Sequence, residues 1–210
     1  MSKNFIPLSS DELIKRINKI PRIELAMLPT PLEYLPNISK DLEINLYIKR
    51  DDCTGLAFGG NKTRHLEFIM AKTLSNEYDC ILTGASSQSN WCRQMTAAAN
   101  KLSLETFLVL MHGIKGKKMQ GNFLLYNILG ANVDVIEGEN LEEIPKHLDN
   151  KYNELVKRGR KPLLIYGGFG EEDTVLAGIS YANAIAEMEV QMKKQNFIAD
   201  HLFVTAANMT

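Results

Sequence analysis

Residues 80–110, CILTGASSQSNWCRQMTAAANKLSLETFLVL, read as strand, helix, strand. CILTG is a short apolar run that ends in glycine, the segment from about Asn90 to Lys101 has a helical pattern, and ETFLVL is a second apolar run. Two short strands joined by a helical crossover can pair in parallel with a right-handed connection.

The same alternation extends in both directions. Upstream, LYIK at 46–49 precedes a helix predicted from about Thr63 to Ser75. Downstream come a helix from about Lys118 that Gly130 can close, the strand VDVI at 133–136, and a helix across Leu141 to Lys157. PLLIY at 162–166 then precedes a long helix across Val175 to Lys194, and HLFVT at 201–205 is predicted to begin another strand. The fold class is therefore α/β, with doubly wound parallel sheets and helices on both faces. Near the N-terminus, Ser9 and Glu12 have capping-box spacing and Leu13, Ile14 and Ile17 supply an apolar face, which predicts a short amphipathic helix. Prolines at 21, 29, 31 and 36 make the following segment extended chain running over a surface.

Composition narrows the function classes. The chain has 24 Lys and Arg against 25 Asp and Glu, a net charge of −1, and no run of one sign, which argues against nucleic acid or a membrane surface as the main partner. No apolar stretch approaches the roughly 18 residues of a membrane helix, and the first residues lack a signal peptide's apolar core, so the expected location is the cytosol. Cys53, Cys80 and Cys92 lack C-x-x-C spacing, and His65, His112, His147 and His201 lack the spacing of metal ligands, so no disulfide framework or metal site is expected.

In a doubly wound sheet, ligands sit beyond the carboxyl ends of strands, which directs attention to the loops at 51–64, 83–91, 111–118 and 166–174. In the first, Lys62 follows two glycines at the predicted start of a helix. The helix dipole disfavours a cation there and so favours a neutral amine. This matters because an unperturbed lysine, with a pKa of roughly 10.4, is almost entirely protonated at neutral pH and is a poor nucleophile. A solvated lysine beside a glycine turn would have the same local sequence. The second loop, from Thr83 to Asn90, is dense in small hydroxyl and amide residues between a strand and a helix, an arrangement that can bind a carboxylate. Capping and turn roles account for those residues equally well. A nucleophile elbow, a P-loop and the dinucleotide fingerprint are absent.

Three segments in order, LPTPLEYLP (28–36), LYIKRDDCTGLAFGGNKTRHLEF (46–68) and LTGASSQSNWCRQMTAAANK (82–101), resemble successive motifs of the 1-aminocyclopropane-1-carboxylate deaminase and D-cysteine desulfhydrase family. The resemblance covers about residues 20 to 205. It implies a tryptophan-synthase-β-like fold, pyridoxal 5'-phosphate as cofactor, a small amino acid as substrate, a lyase or deaminase reaction, and a homodimer. By that resemblance Lys62 would hold the cofactor as a Schiff base and shuttle the substrate's α-proton. Asn90 would hydrogen-bond the pyridine-ring hydroxyl and also face the substrate, Ser89 would hold the substrate carboxylate and act on the substrate, and Asn61 would shape the ring pocket. Residues 62–165 would form the smaller sheet domain, with 1–61 and 166–210 belonging to the larger one.

The chain also departs from the family pattern. Trp91 and Cys92 stand where the family usually has His or Gln and then Thr, and an indole in the carboxylate pocket would change or close it. Where relatives have a glycine-rich loop for the cofactor phosphate, this chain has Ala206, Ala207, Asn208 and Met209, and only Thr210 matches as a cofactor-binding residue. Relatives continue well beyond this point, so the larger domain is expected to be incomplete. A non-catalytic remnant or fragment is the alternative to an active lyase or deaminase. A cysteine-synthase-like or threonine-dehydratase-like enzyme is a third possibility, disfavoured by GGNKTR followed by HLEF.

Overall fold

The structure, a computed structural model, describes residues 8–112, 117–138, 140–166 and 171–205, without the side chains of 171–173. In chain order these residues form α1 (Ser10–Ile17), β1 (Leu32–Tyr34), α2 (Pro36–Leu42), β2 (Tyr47–Lys49), α3 (Lys62–Ser75), β3 (Cys80–Ser86) and α4 (Asn90–Lys101). They continue with β4 (Glu105–Met111), α5 (Gly121–Ile128), β5 (Asn132–Ile136), α6 (Ile144–Lys157), β6 (Pro162–Ile165) and α7 (Glu171–Lys194).

β3 to β6 form one parallel sheet in the order β5-β4-β3-β6. The chain winds outward from β3 to β4 and β5, then crosses back to place β6 on the other side of β3. The loop after β3 therefore lies where the winding direction reverses, the usual place for a ligand in such sheets. Side chains alternate across β3, so Ile81 faces one layer and Cys80 and Leu82 face the other. On the first face Ile81, Leu163 and Ile165 pack against Leu66, Ile69 and Met70 of α3 and Met95 and Ala98 of α4. Leu108 and Leu110 of β4 meet Phe123 and Tyr126 of α5 on that side. On the second face Leu82, Phe107, Val109 and Met111 pack against Ile144, Leu148 and Leu155 of α6. Helices thus cover both faces, as the sequence pattern predicts.

Three features differ from the sequence expectations. LYIK does not join the parallel sheet: β2 pairs antiparallel with β1, Leu32 opposite Lys49 and Tyr34 opposite Tyr47. Pro36, expected to prevent helix, instead sits at the first position of α2, where its missing N–H costs nothing. HLFVT forms no strand. Its backbone finds no partner among the described residues, and Leu202, Phe203 and Val204 stand exposed, Phe203 at 89%. An apolar run of strand-forming residues makes a strand only where another strand accepts its hydrogen bonds.

α3 is buried along Thr63 to Met70 on all sides, because the sheet and α4 cover one flank and α7 covers the other. Such a helix would ordinarily be apolar all round. Here two charged side chains are enclosed instead. Glu67 accepts hydrogen bonds from the backbone N–H groups of Leu25 and Ala26, both at 2.9 Å, and so fastens the proline-rich segment. Arg64, 1% exposed, makes paired hydrogen bonds to Asp51 (2.9 and 2.9 Å) and to Glu187 of α7 (3.0 and 3.0 Å). The Lys49 ammonium also donates to Glu187, at 2.5 Å, to Gln191 at 2.6 Å and to the Thr30 carbonyl at 2.7 Å.

Removing Arg64 would take the guanidinium from Asp51 and leave Glu187 with Lys49 alone, in a poorly hydrated site. Arg64→Met is expected to cost about 3–5 kcal/mol, measured by urea unfolding; a loss below about 1 kcal/mol would show that the cluster holds little. Burial alone would raise the Glu187 carboxyl, but the hydrogen bonds from Arg64 and Lys49 outweigh it and hold the group below its ordinary value of 4.5. Since the folded value lies below the unfolded one, this contribution is complete above about pH 4.5 and is lost as pH falls through the folded value. Glu187→Gln should therefore flatten the acid limb of stability against pH, and an unchanged slope in that window would exclude Glu187 as its source.

Candidate active site

The segment from Asp51 to Asn61 makes two short 3₁₀ turns, Asp51–Cys53 and Leu56–Phe58, before α3 begins at Lys62. Gly59 has φ +74°, and a Cβ there would lie 1.7 Å from the Asp52 carbonyl oxygen. Gly60 has φ +132°, and a Cβ there would lie 2.4 Å from the Gln94 amide nitrogen. The backbone must pass through both positions to enter α3, so only glycine fits at each. The two glycines before Lys62 thus set the approach of the loop to α4.

That approach is locked by a buried polar cluster. The Thr54 hydroxyl accepts from the Gly60 N–H at 2.9 Å and donates to the Gly60 carbonyl at 2.8 Å. The Gln94 side-chain oxygen accepts from the Thr63 N–H at 2.9 Å and from the Thr63 hydroxyl at 2.8 Å. The Thr63 N–H also makes a longer bond, 3.3 Å, to the Gly60 carbonyl. Arg93 reaches across to donate to the Gly59 carbonyl at 2.9 Å. Two successive residues of α4 thus hold the loop and helix start that carry Lys62.

Lys62 is half-buried, and desolvation lowers its pKa from the ordinary lysine value. Among the described residues no carboxylate faces it to reverse that shift. Neighbouring Asn61 is exposed and donates to the Tyr181 hydroxyl of α7 at 2.5 Å. Burial raises the Tyr181 phenol, with the Asn61 hydrogen bond opposing, so the hydroxyl stays protonated at neutral pH.

Ser89 caps α4, its hydroxyl accepting from the Cys92 N–H at 3.3 Å, and its carbonyl accepts from the Tyr126 hydroxyl at 2.7 Å. Asn90 opens the helix on the exposed side, with its side-chain oxygen 2.9 Å from the Asn122 amide. Trp91 takes another direction. The indole donates to the Thr83 hydroxyl at 3.1 Å, lies 5.3 Å from the His65 ring and packs against the core on both flanks of α4. That placement turns the indole toward β3 and α3. Cys92 is fully buried, and burial pushes its thiol up to about 12, so it is an inert core residue. Thr210, together with Ala206 to Met209, lies outside the described residues.

Lys62 and the Ser89–Asn90 pair thus occupy the starts of two packed helices, joined by Gln94. The sequence reading missed Gln94, Arg93, Asn122 and Tyr181. Gln94 carried a usable signal, since it lies one helical turn after Asn90 and shares its face. Tyr181 and Asn122 carried none, because only the tertiary fold brings them to the site.

The doubly wound α/β fold thus brings a desolvated lysine and a hydroxyl–amide loop together at neighbouring helix starts. The chain belongs to the pyridoxal-phosphate dependent enzyme family, whose pattern matches residues 23–208. It is similar to a Pyrococcus horikoshii protein that carries the provisional name 1-aminocyclopropane-1-carboxylate deaminase, 38% identical over 82% of this chain and 51% of that one. It is also similar to a Klebsiella pneumoniae D-cysteine desulfhydrase, 34% identical over 85% of this chain and 54% of the relative. A crystal structure of an ACC deaminase homologue superposes with TM-score 0.77 at 36% identity, covering 89% of this chain and 55% of that one. Diaminopropionate ammonia lyase from Escherichia coli shares the fold, with TM-score 0.66 at 16% identity. The chain spans about half the length of the curated relatives it matches.

Gln94→Leu would leave the Thr63 N–H with only the Gly60 carbonyl, at 3.3 Å, and would remove the acceptor of the buried Thr63 hydroxyl. The expected cost is about 1–3 kcal/mol by urea unfolding. An unchanged midpoint would mean that another group satisfies Thr63 and that Gln94 does not clamp the lysine helix.

Proposed function

We propose that this chain acts as a pyridoxal-phosphate-dependent lyase or deaminase on a small amino acid, of the D-cysteine desulfhydrase or 1-aminocyclopropane-1-carboxylate deaminase kind, with Lys62 holding the cofactor. The observation that carries the reading is the Lys62 amine itself: desolvated, at a helix start, and with no carboxylate partner among the described residues. Such an amine spends more of its time neutral than a surface lysine does, the state that attacks a carbonyl. The site therefore fits the group at its carbonyl end, while the segment expected to cradle its phosphate, ending at Thr210, lies outside the described residues.

Bound there, pyridoxal phosphate supplies an electron sink for charge developing at the substrate's α-carbon. The chain's own residues do the rest. Lys62 Nζ, when not engaged, can accept and return a proton, because desolvation brings its pKa closer to neutrality. Ser89 Oγ already accepts from the Cys92 N–H, which leaves its proton to donate to a substrate carboxylate. The unpaired amides of the first turn of α4 reinforce that site, since a helix start favours an anion. Asn61, restrained by Tyr181, lines the side next to the lysine. Residues 62–165 are read as the smaller domain, with both flanks contributing to the larger one.

An absorbance spectrum of the 210-residue chain with pyridoxal phosphate, run beside Lys62→Ala, tests the reading. A visible absorption band of the bound cofactor that disappears in the variant is the expected result. Its absence from both proteins would sink the reading and favour a non-catalytic remnant or fragment.

A further inference from the structure

Asn122, at the second position of α5, is the only side chain among the described residues whose amide touches the Asn90 side chain. Two of the three polar interactions of its side chain are with groups of defined polarity. Its oxygen lies 3.0 Å from Arg93 Nη1, and a guanidinium can only donate. Its nitrogen lies 2.8 Å from the Gln88 carbonyl oxygen, which can only accept. The Asn122 amide therefore has one possible orientation, with oxygen toward Arg93 and nitrogen toward Gln88 and Asn90. The second N–H of that nitrogen points at an Asn90 atom 2.9 Å away, which must then be an acceptor, Oδ1. Asn90 Nδ2 is left with no partner among the described residues, on the exposed side of the α4 start.

We infer that Asn122 is a positioning residue: held by Arg93 and Gln88, it fixes the Asn90 side chain so that its NH₂ group, and not its carbonyl, is presented to a ligand oxygen. This rests on the reading of Asn90 as a residue that faces the cofactor ring hydroxyl. A free asparagine side chain interconverts between the two presentations by rotation about its last bond. Only one of them can donate to an ionised hydroxyl, so holding Asn90 in that state removes an ordering cost from binding. The clamp is itself anchored to the lysine side of the site. Arg93 donates to Asn122 with one nitrogen and to the Gly59 carbonyl with the other, and Gln88 accepts from the Asn122 N–H at 3.0 Å.

The test uses Asn122→Asp. The carboxylate keeps its partner Arg93 but cannot donate, so it should turn the Asn90 NH₂ inward and expose the carbonyl oxygen. Nitrogen-15 NMR of asparagine side chains in the chain without cofactor reads this directly. The Asn90 NH₂ pair should exchange rapidly with solvent in the parent and become protected in Asn122→Asp; no change in that pair overturns the inference, whatever the cofactor does. Cofactor titration supplies the second readout. Asn122→Asp should weaken pyridoxal phosphate binding about tenfold, a hydrogen bond's worth, and the loss should vanish in an Asn90→Ala background. An equal loss in both backgrounds would mean a merely structural role and overturn the inference. Asn122→Ala, which adds no charge, guards against misfolding: it should release Asn90 and give an intermediate loss, again only when Asn90 is present. A parent chain without any lysine-dependent cofactor band would sink the cofactor reading alone, since the NMR result decides the orientation by itself.

Discussion

A guanidinium that is 1% exposed must find its hydrogen-bond partners inside the protein, and Arg64 finds four carboxylate oxygens from two distant parts of the chain. Asp51 comes from the loop before α3 and Glu187 from α7. Thr30 and Lys49 join the same cluster, so the proline-rich segment, β2, α3 and α7 are tied through one side chain. A buried cluster of this kind need not be more stable than an apolar core of the same volume. Its effect is on geometry: paired, planar hydrogen bonds fix direction as well as distance, whereas apolar contacts tolerate sliding.

That geometry passes directly to the candidate site. Lys62 lies two residues before Arg64 on the same helix, so fixing the roll of α3 fixes the direction in which the lysine leaves the backbone. The position along the axis is set separately. Gln94 holds the Thr63 amide, and the glycines at 59 and 60 allow the preceding loop to lie against α4. Rotation and translation of the lysine are thus constrained by different residues on opposite sides of one helix.

The sequence disclosed the sheet more readily than the site. Apolar runs such as CILTG and ETFLVL are buried on both faces, and the helices between them end at legible signals, including Ser89 at the start of α4 and the Gly130 turn after α5. HLFVT had the same composition and failed, because strand formation depends on a partner that composition does not report. Lys62 was singled out from its loop, and Asn61, Ser89 and Asn90 through the family resemblance. The groups that orient them were not, since Asn122 lies 32 residues from Asn90 and Tyr181 lies 120 residues from Asn61, and no local pattern records contacts of that range.

Trp91 shows how much about direction a linear motif leaves out. In a linear alignment it adjoins Asn90 and inherits the neighbouring residue's role, so a bulky side chain there reads as an obstruction. On a helix each step turns the side chain by roughly 100°. Asn90 and Gln94, one turn apart, face α5 and the start of α3, while Trp91 is carried round to β3 and His65. The indole then finds what a buried indole requires, apolar packing for its rings and an acceptor for its N–H in the Thr83 hydroxyl. The indole thereby becomes part of the packing beneath the α4 start, where it joins the core clusters on both flanks of the helix.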